Sequence, residues 1–152
     1  MTQNDYVINL QNALSQLDNA LYWLNRSYRQ CGPIGIKSTY TESELDNFEA
    51  LTSRFARVSD ILTQKVYRSI DAVEFETSGT MIDVVNRAEK RGLIDSTDQI
   101  RTIRDLRNSI AHEYVKESLI ELFQDTLKLI PTLLKLVNYA KQYCQKYLKD
   151  QQ

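Results

Sequence analysis

Glycine and proline are scarce in this chain, with 4 and 2 copies among 152 residues, so strand–turn–strand architectures have little punctuation to use. Histidine occurs once and cysteine twice. Cys31 and Cys144 stand far apart with no C-x-x-C or His-Cys cluster around them, which argues against a metal site and leaves two ordinary reduced thiols. No apolar run approaches the ~20 residues that cross a bilayer. The opening MTQNDYVINLQNAL carries acid and amide groups where a signal peptide has a basic region and then an apolar one. These absences lead to the expectation of a soluble, cytoplasmic protein without metal or cofactor. Excess positive charge is missing too, with 19 Lys+Arg against 20 Asp+Glu for a net charge of -1. No global field draws such a chain onto nucleic acid, so an RNA contact requires a local patch, and DNA is not an expected partner.

What is present is helical periodicity. Apolar residues at Val7, Leu10, Leu14, Leu17, Leu21, Leu24 and Tyr28 alternate steps of three and four, which predicts an amphipathic helix over about residues 5–30. Gly32 and Pro33 end it, glycine as a C-terminal cap and proline as a residue that cannot continue the ladder. Thr41 or Ser43, with acids at Glu42 and Glu44, starts a second helix predicted to run from about Ser43 to Val73 on a stripe from Leu45 to Ile70. Residues 80–91 predict a short helix capped by Gly92, and Asp95 or Ser96 opens another that carries Ile100, Ile103, Leu106 and Ile110. The last helix spans about 116–149 and contains Pro131, which predicts a kink or local break about one turn earlier. With no repeat and no long linker, the expectation is a single domain over 1–152. Its class is all-α, an antiparallel up-and-down bundle of four main helices plus one short helix.

Against this scaffold one stretch stands out, Arg107-Asn-Ser-Ile-Ala-His112-Glu-Tyr114, which holds the only histidine. An imidazole takes and gives a proton near neutral pH and a guanidinium stabilises phosphate charge, a minimal kit for cleaving or holding a phosphodiester. Each helical residue turns about 100°. On that wheel His112 lies about 180° from the core residue Ile103, with Arg104 and Asn108 on its flank at i-8 and i-4. An exposed histidine of no consequence is the competing reading. Arg107 sits about 140° from His112, so the two cannot meet on one regular helix. Either the helix breaks between Ser109 and Val115, or a two-fold dimer completes the site with a second copy of each group, and the favoured reading combines both. Arg101, Arg104 and Arg107 recur every three residues beside Lys90 and Arg91, as a basic patch for RNA or as a solvated face balanced by Asp98 and Asp105.

The string resembles the R-x4-H-x-Y motif of HEPN domains, in particular the toxin half of the HEPN-MNT toxin–antitoxin pairs of prokaryotes. The resemblance implies a metal-independent ribonuclease in which Arg107 binds the scissile phosphate, His112 acts as base or acid, and Asn108 and Arg104 support them. It also implies a homodimer and a cognate MNT nucleotidyltransferase antitoxin. That antitoxin uses ATP to attach AMP to Tyr114, a residue that without the resemblance reads as one more bundle aromatic. The alternative is a non-catalytic helical module of the same kind, which binds a nucleotide or a nucleotidyltransferase partner and cuts nothing.

Overall fold

The computed structural model describes residues 2–76, 79–112 and 116–148. The described residues form helices and loops, with no strand among them. The helices are α1 (Gln3–Cys31), α2 (Glu42–Asp60), a π-helical turn (Ile61–Val66), α3 (Tyr67–Val73), α4 (Met81–Lys90), α5 (Thr97–His112) and α6 (Lys116–Leu148). None is long and apolar enough to cross a membrane.

Local sequence sets the helix starts. Thr2 with Asp5, Thr41 with Glu44, and Thr80 with Asp83 each form a reciprocal capping box ahead of α1, α2 and α4, satisfying N–H groups that the first turn leaves unpaired. The ends are more varied. Gly92, at φ 75, closes α4 in the left-handed conformation, and the N–H groups of Gly92 and Leu93 donate to the carbonyls of Glu89 and Ala88 in the Schellman arrangement. Gly32 does not play that role. It stays right-handed at φ -53, and the left-handed turn falls on Gly35 at φ 68.

Four long rods make the bundle. Gln16 pairs with Lys65, and Ser27 with Arg54, so numbers rise on α1 as they fall on α2 and the two run antiparallel. Phe48 stacks on Phe123 and Glu74 accepts from Tyr143, so α6 runs alongside α2 and α3 in the same direction. Asp95 just before α5 meets Lys135 on α6, while α5 ends at His112 and α6 begins at Lys116, so these two run antiparallel. The order is up, down, up, down, with short α4 between α3 and α5. Leu10, Leu17 and Leu24 of α1, Phe48 and Phe55 of α2, Ile103 of α5 and Leu133 of α6 are fully buried on the axis. Burial of this kind supplies most of the helical stability.

Two expectations are made more specific by the structure. The helix expected from Ser43 to Val73 is helical throughout but divided, because the π turn at Ile61–Val66 inserts a residue into its winding. Three consecutive side chains, Ile61, Leu62 and Thr63, are buried there, more than an α-helical stripe can turn inward. Of the kink or local break expected before Pro131, the break does not occur, since α6 is helical from Lys116 to Leu148. The ring removes one donor from the ladder, while the buried neighbours Ile130 and Leu133 hold both halves against the core.

Candidate functional site

Helix α5 lays Ile100, Ile103 and Leu106 into the core and therefore turns Arg104, Arg107, Asn108 and His112 outward. Arg104 and Arg107 are half-buried, while Asn108 and His112 are exposed. His112 is the last residue of α5. Tyr114 lies outside the described residues.

Arg107 reaches across to α2. Its Nε donates to Asp60 Oδ1 at 2.8 Å and its Nη2 to Asp60 Oδ2 at 2.9 Å, the fork-to-fork geometry that makes Arg–carboxylate pairs strong and directional. The Asp60 hydrogen bonds and charge raise the Arg107 pKa above its ordinary value. The guanidinium keeps Nη1 and the second Nη2 hydrogen for another partner. Arg107 also lines a cavity of about 340 Å³ together with Asp60, Thr63, Gln64, Arg104 and Asn108. A second cavity of about 330 Å³, between α4 and α5, shares Arg104 and Asn108 with the first and is closed underneath by Val85 and Ile100.

The fold thus brings together three of the sequence-predicted residues, Arg104, Arg107 and Asn108. His112 is not among the residues lining this cavity, and it sits about a turn beyond Asn108 on the same helix. The basic patch is smaller than the sequence implied. Arg91 turns away to pair with Asp71 and with Glu74 at 2.9 Å, because a buried carboxylate at the end of α3 demands a counter-charge. Arg101 pairs with Asp98 at 3.1 Å, but both are more than 70% exposed, so the pair contributes little. Arg104 has no ion pair among the described residues, and neither does Lys90, so these two are the patch's cations left open for a partner.

Asp60, Thr63 and Gln64 are site residues that sequence reasoning did not identify. Asp60 lies 47 positions from Arg107 on a helix whose apolar stripe says nothing about its outer face. The π turn that follows Asp60 carries Thr63 and Gln64 to the cavity, and π insertions of this kind recur at functional sites.

Chemically the cavity sets two guanidiniums and two carboxamides beside one carboxylate, that of Asp60, a lining whose N–H groups are suited to an anionic oxygen. Among the described residues no group of three His, Cys, Asp or Glu side chains is placed to hold a metal ion. No family model, curated protein or solved structure matches the chain.

Proposed function

We propose that this chain is a HEPN-type ribonuclease toxin that cleaves RNA in the cytoplasm, with Arg107 and His112 as its catalytic groups and Asn108 and Arg104 in support. The observation that carries the reading is the cavity beside Arg107, where Arg104, Arg107 and Asn108 line one hollow with room for a phosphate and more, on the face of α5 that ends in the exposed His112.

The step needs no group beyond the protein and the RNA. A ribose 2'-oxygen attacks the adjacent phosphorus as a base takes its proton. The bond from phosphorus to the 5'-oxygen then breaks, and an acid returns a proton to that leaving oxygen. Arg107 and Arg104 stabilise the charge that accumulates on the phosphoryl oxygens. One imidazole is base or acid but not both at once. A homodimer that sets two copies of α5 around one cleft supplies both. Silencing follows from the same electrostatics. The phenolic oxygen of Tyr114 attacks the α-phosphorus of ATP on an MNT nucleotidyltransferase partner, pyrophosphate leaves, and the attached AMP puts negative charge two residues beyond His112.

One observation favours the non-catalytic alternative. Asp60 already engages Arg107 in two hydrogen bonds, which suits a module that holds a nucleotide or a nucleotidyltransferase without cutting.

The deciding experiment is RNA cleavage in excess EDTA by the wild type, His112→Ala and Arg107→Ala, with mass spectrometry establishing that Tyr114 is unmodified. The ribonuclease reading expects the wild type to cut and both variants to lose at least about 100-fold, the scale of one acid–base or charge-stabilising group. An unmodified wild type that leaves RNA intact assigns the chain to the binding module.

A further inference from the structure

The cavity beside Arg107 does not end there. It shares Asp60 and Gln64 with a hollow of about 410 Å³ lined by Gln16, Ser53 and Arg57 among others. That hollow in turn shares Gln16, Gln64 and Lys65 with a third, of about 420 Å³, which carries Asn9, Asn12 and Arg68. The series crosses three helices, from α5 over the outer face of α2 and the π turn to one edge of α1. Lys65 Nζ donates to Gln16 Oε1 at 2.7 Å across the α1–π-turn boundary. Five cations line the three hollows, namely Arg57, Lys65, Arg68, Arg104 and Arg107, against the single carboxylate of Asp60. In a chain whose net charge is -1, that is a strong local separation of charge, and it selects a polyanion as the ligand.

At the edge of this path stands the only tryptophan of the chain. Trp23 follows Gln16 by seven residues, so it lies on the same side of α1, about 10 Å further along. It is 41% exposed, and the guanidinium carbons of Arg26 and Arg54 lie 5.7 and 5.1 Å from its ring centroid. Arg54 Nη1 is fixed by Ser27 Oγ at 2.7 Å. An exposed indole beside two arginines, with only the ring of Tyr22 edge-on against it at 5.1 Å, is a poor use of apolar surface in water, but unpaired bases stack on aromatic rings and guanidinium planes. A duplex keeps its bases stacked inside and has no use for such a platform. An acidic peptide would satisfy the cations and leave the indole idle.

We propose that these linked hollows are the path of single-stranded RNA toward Arg107, with Trp23 as the platform on which one base stacks. The choice of RNA as the polyanion rests on the ribonuclease reading of Arg107 and His112, but the path is tested without any cleavage.

The test uses a single-stranded RNA of roughly ten nucleotides, within the span of known single-strand sites, with every 2'-hydroxyl methylated so that it cannot be cut. Binding is followed by anisotropy of a dye on the RNA and by the emission of Trp23. The expected result is quenching of Trp23 in step with binding, and a logarithm of affinity that falls linearly with the logarithm of salt. Trp23→Ala should weaken binding by about 5- to 150-fold, and Trp23→Phe should restore most of it. Arg57→Gln should lower the salt slope by about 0.7. Circular dichroism establishes that each variant keeps its helix content. Binding with unchanged Trp23 emission, or equal affinity for a duplex of the same sequence, overturns the path. So does emission that responds to protein concentration or to polyglutamate but not to RNA, which would make this face a protein interface. Methylated RNA that binds as expected while unmodified RNA stays whole leaves the path standing and removes the nuclease. RNA cleavage that Trp23→Ala does not alter removes the path and leaves the nuclease.

Discussion

Two of the donors on Arg107 are spent on Asp60, and that one contact sets what the residue can do. The pair is about two-fifths exposed, so it contributes at most about 1 kcal/mol to the fold. Its effect is on aim. Under the ribonuclease reading Asp60 is a positioning residue, since its carboxylate fixes the guanidinium plane and also competes with phosphate for it. Asp60→Ala should therefore lower KM for RNA, by removing a competing anion, and lower kcat by up to about 100-fold, by letting the guanidinium drift. Steady-state kinetics beside a urea titration separates this from a structural role, which would move stability and leave the ratio alone. A second residue has the opposite character. Tyr67 is 1% exposed and its hydroxyl has no hydrogen-bond partner among the described residues; burial holds its pKa well above the ordinary phenol value. Removing an unsatisfied hydroxyl costs nothing and relieves desolvation. Tyr67→Phe should leave the urea midpoint unchanged or raise stability by up to about 1 kcal/mol, and a clear loss would reveal a partner for the oxygen. Neither residue announced itself in the sequence. Asp60 is one of 20 acids, and Tyr67 sits where the inserted residue of the π turn has shifted the register.

At the scale of elements, the helix ends divide into those the sequence marks and those it does not. Gly92 closes α4 as its type predicts. At the end of α3 the same Schellman bonds form, from Phe75 to Ala72 and from Glu76 to Asp71, but the left-handed position is held by Phe75 at φ 62, and a phenylalanine gives no sign of a cap. What holds that end is polar. Asp71 accepts from Arg87 at 2.9 Å and from Arg91, and Glu74 accepts from Arg91 and Tyr143 at 2.9 and 2.6 Å and also from Tyr147. These bonds tie α3 to α4 and α6. Burial pushes the Glu74 carboxyl up, but the two tyrosine hydroxyls and Arg91 outweigh it and leave the pKa lowered. A lowered carboxylate stabilises the fold fully above its unfolded value of about 4.3, and that contribution is lost as pH falls through the folded value. Stability should thus decline with acid below about pH 4.3. Glu74→Gln should cost about 1–3 kcal/mol at neutral pH and flatten that part of the profile. Urea midpoints measured across the acid range check both. An unchanged profile would mean that the ties survive protonation.

For the whole molecule, the apolar stripes of α1, α2, α5 and α6 were enough to call for an up-and-down bundle, because every long rod buries one side on a common axis. The arrangement of charge was not legible, since pairs such as Asp60 with Arg107 and the row from Arg57 to Arg104 form only when helices distant in sequence lie side by side. The two cysteines give a way to test whether that bundle behaves as one unit. Cys31 closes α1 and Cys144 lies near the end of α6, and both are fully buried. Burial pushes their thiols up to about 11 and about 12, so the reactive thiolate is rare even where a bystander cysteine would be labelled quickly. Labelling at about pH 8 therefore reports opening of the core. If the bundle unfolds as a single cooperative domain, both thiols should resist an aromatic disulfide reagent in the folded protein and become reactive together across one urea transition. That transition should coincide with the loss of helical circular dichroism. Cys144 labelling ahead of Cys31 would show that α6 frays from a bundle whose remaining helices stay closed. In that case the one-domain reading would give way to a stable α1–α2 hairpin with a detachable partner.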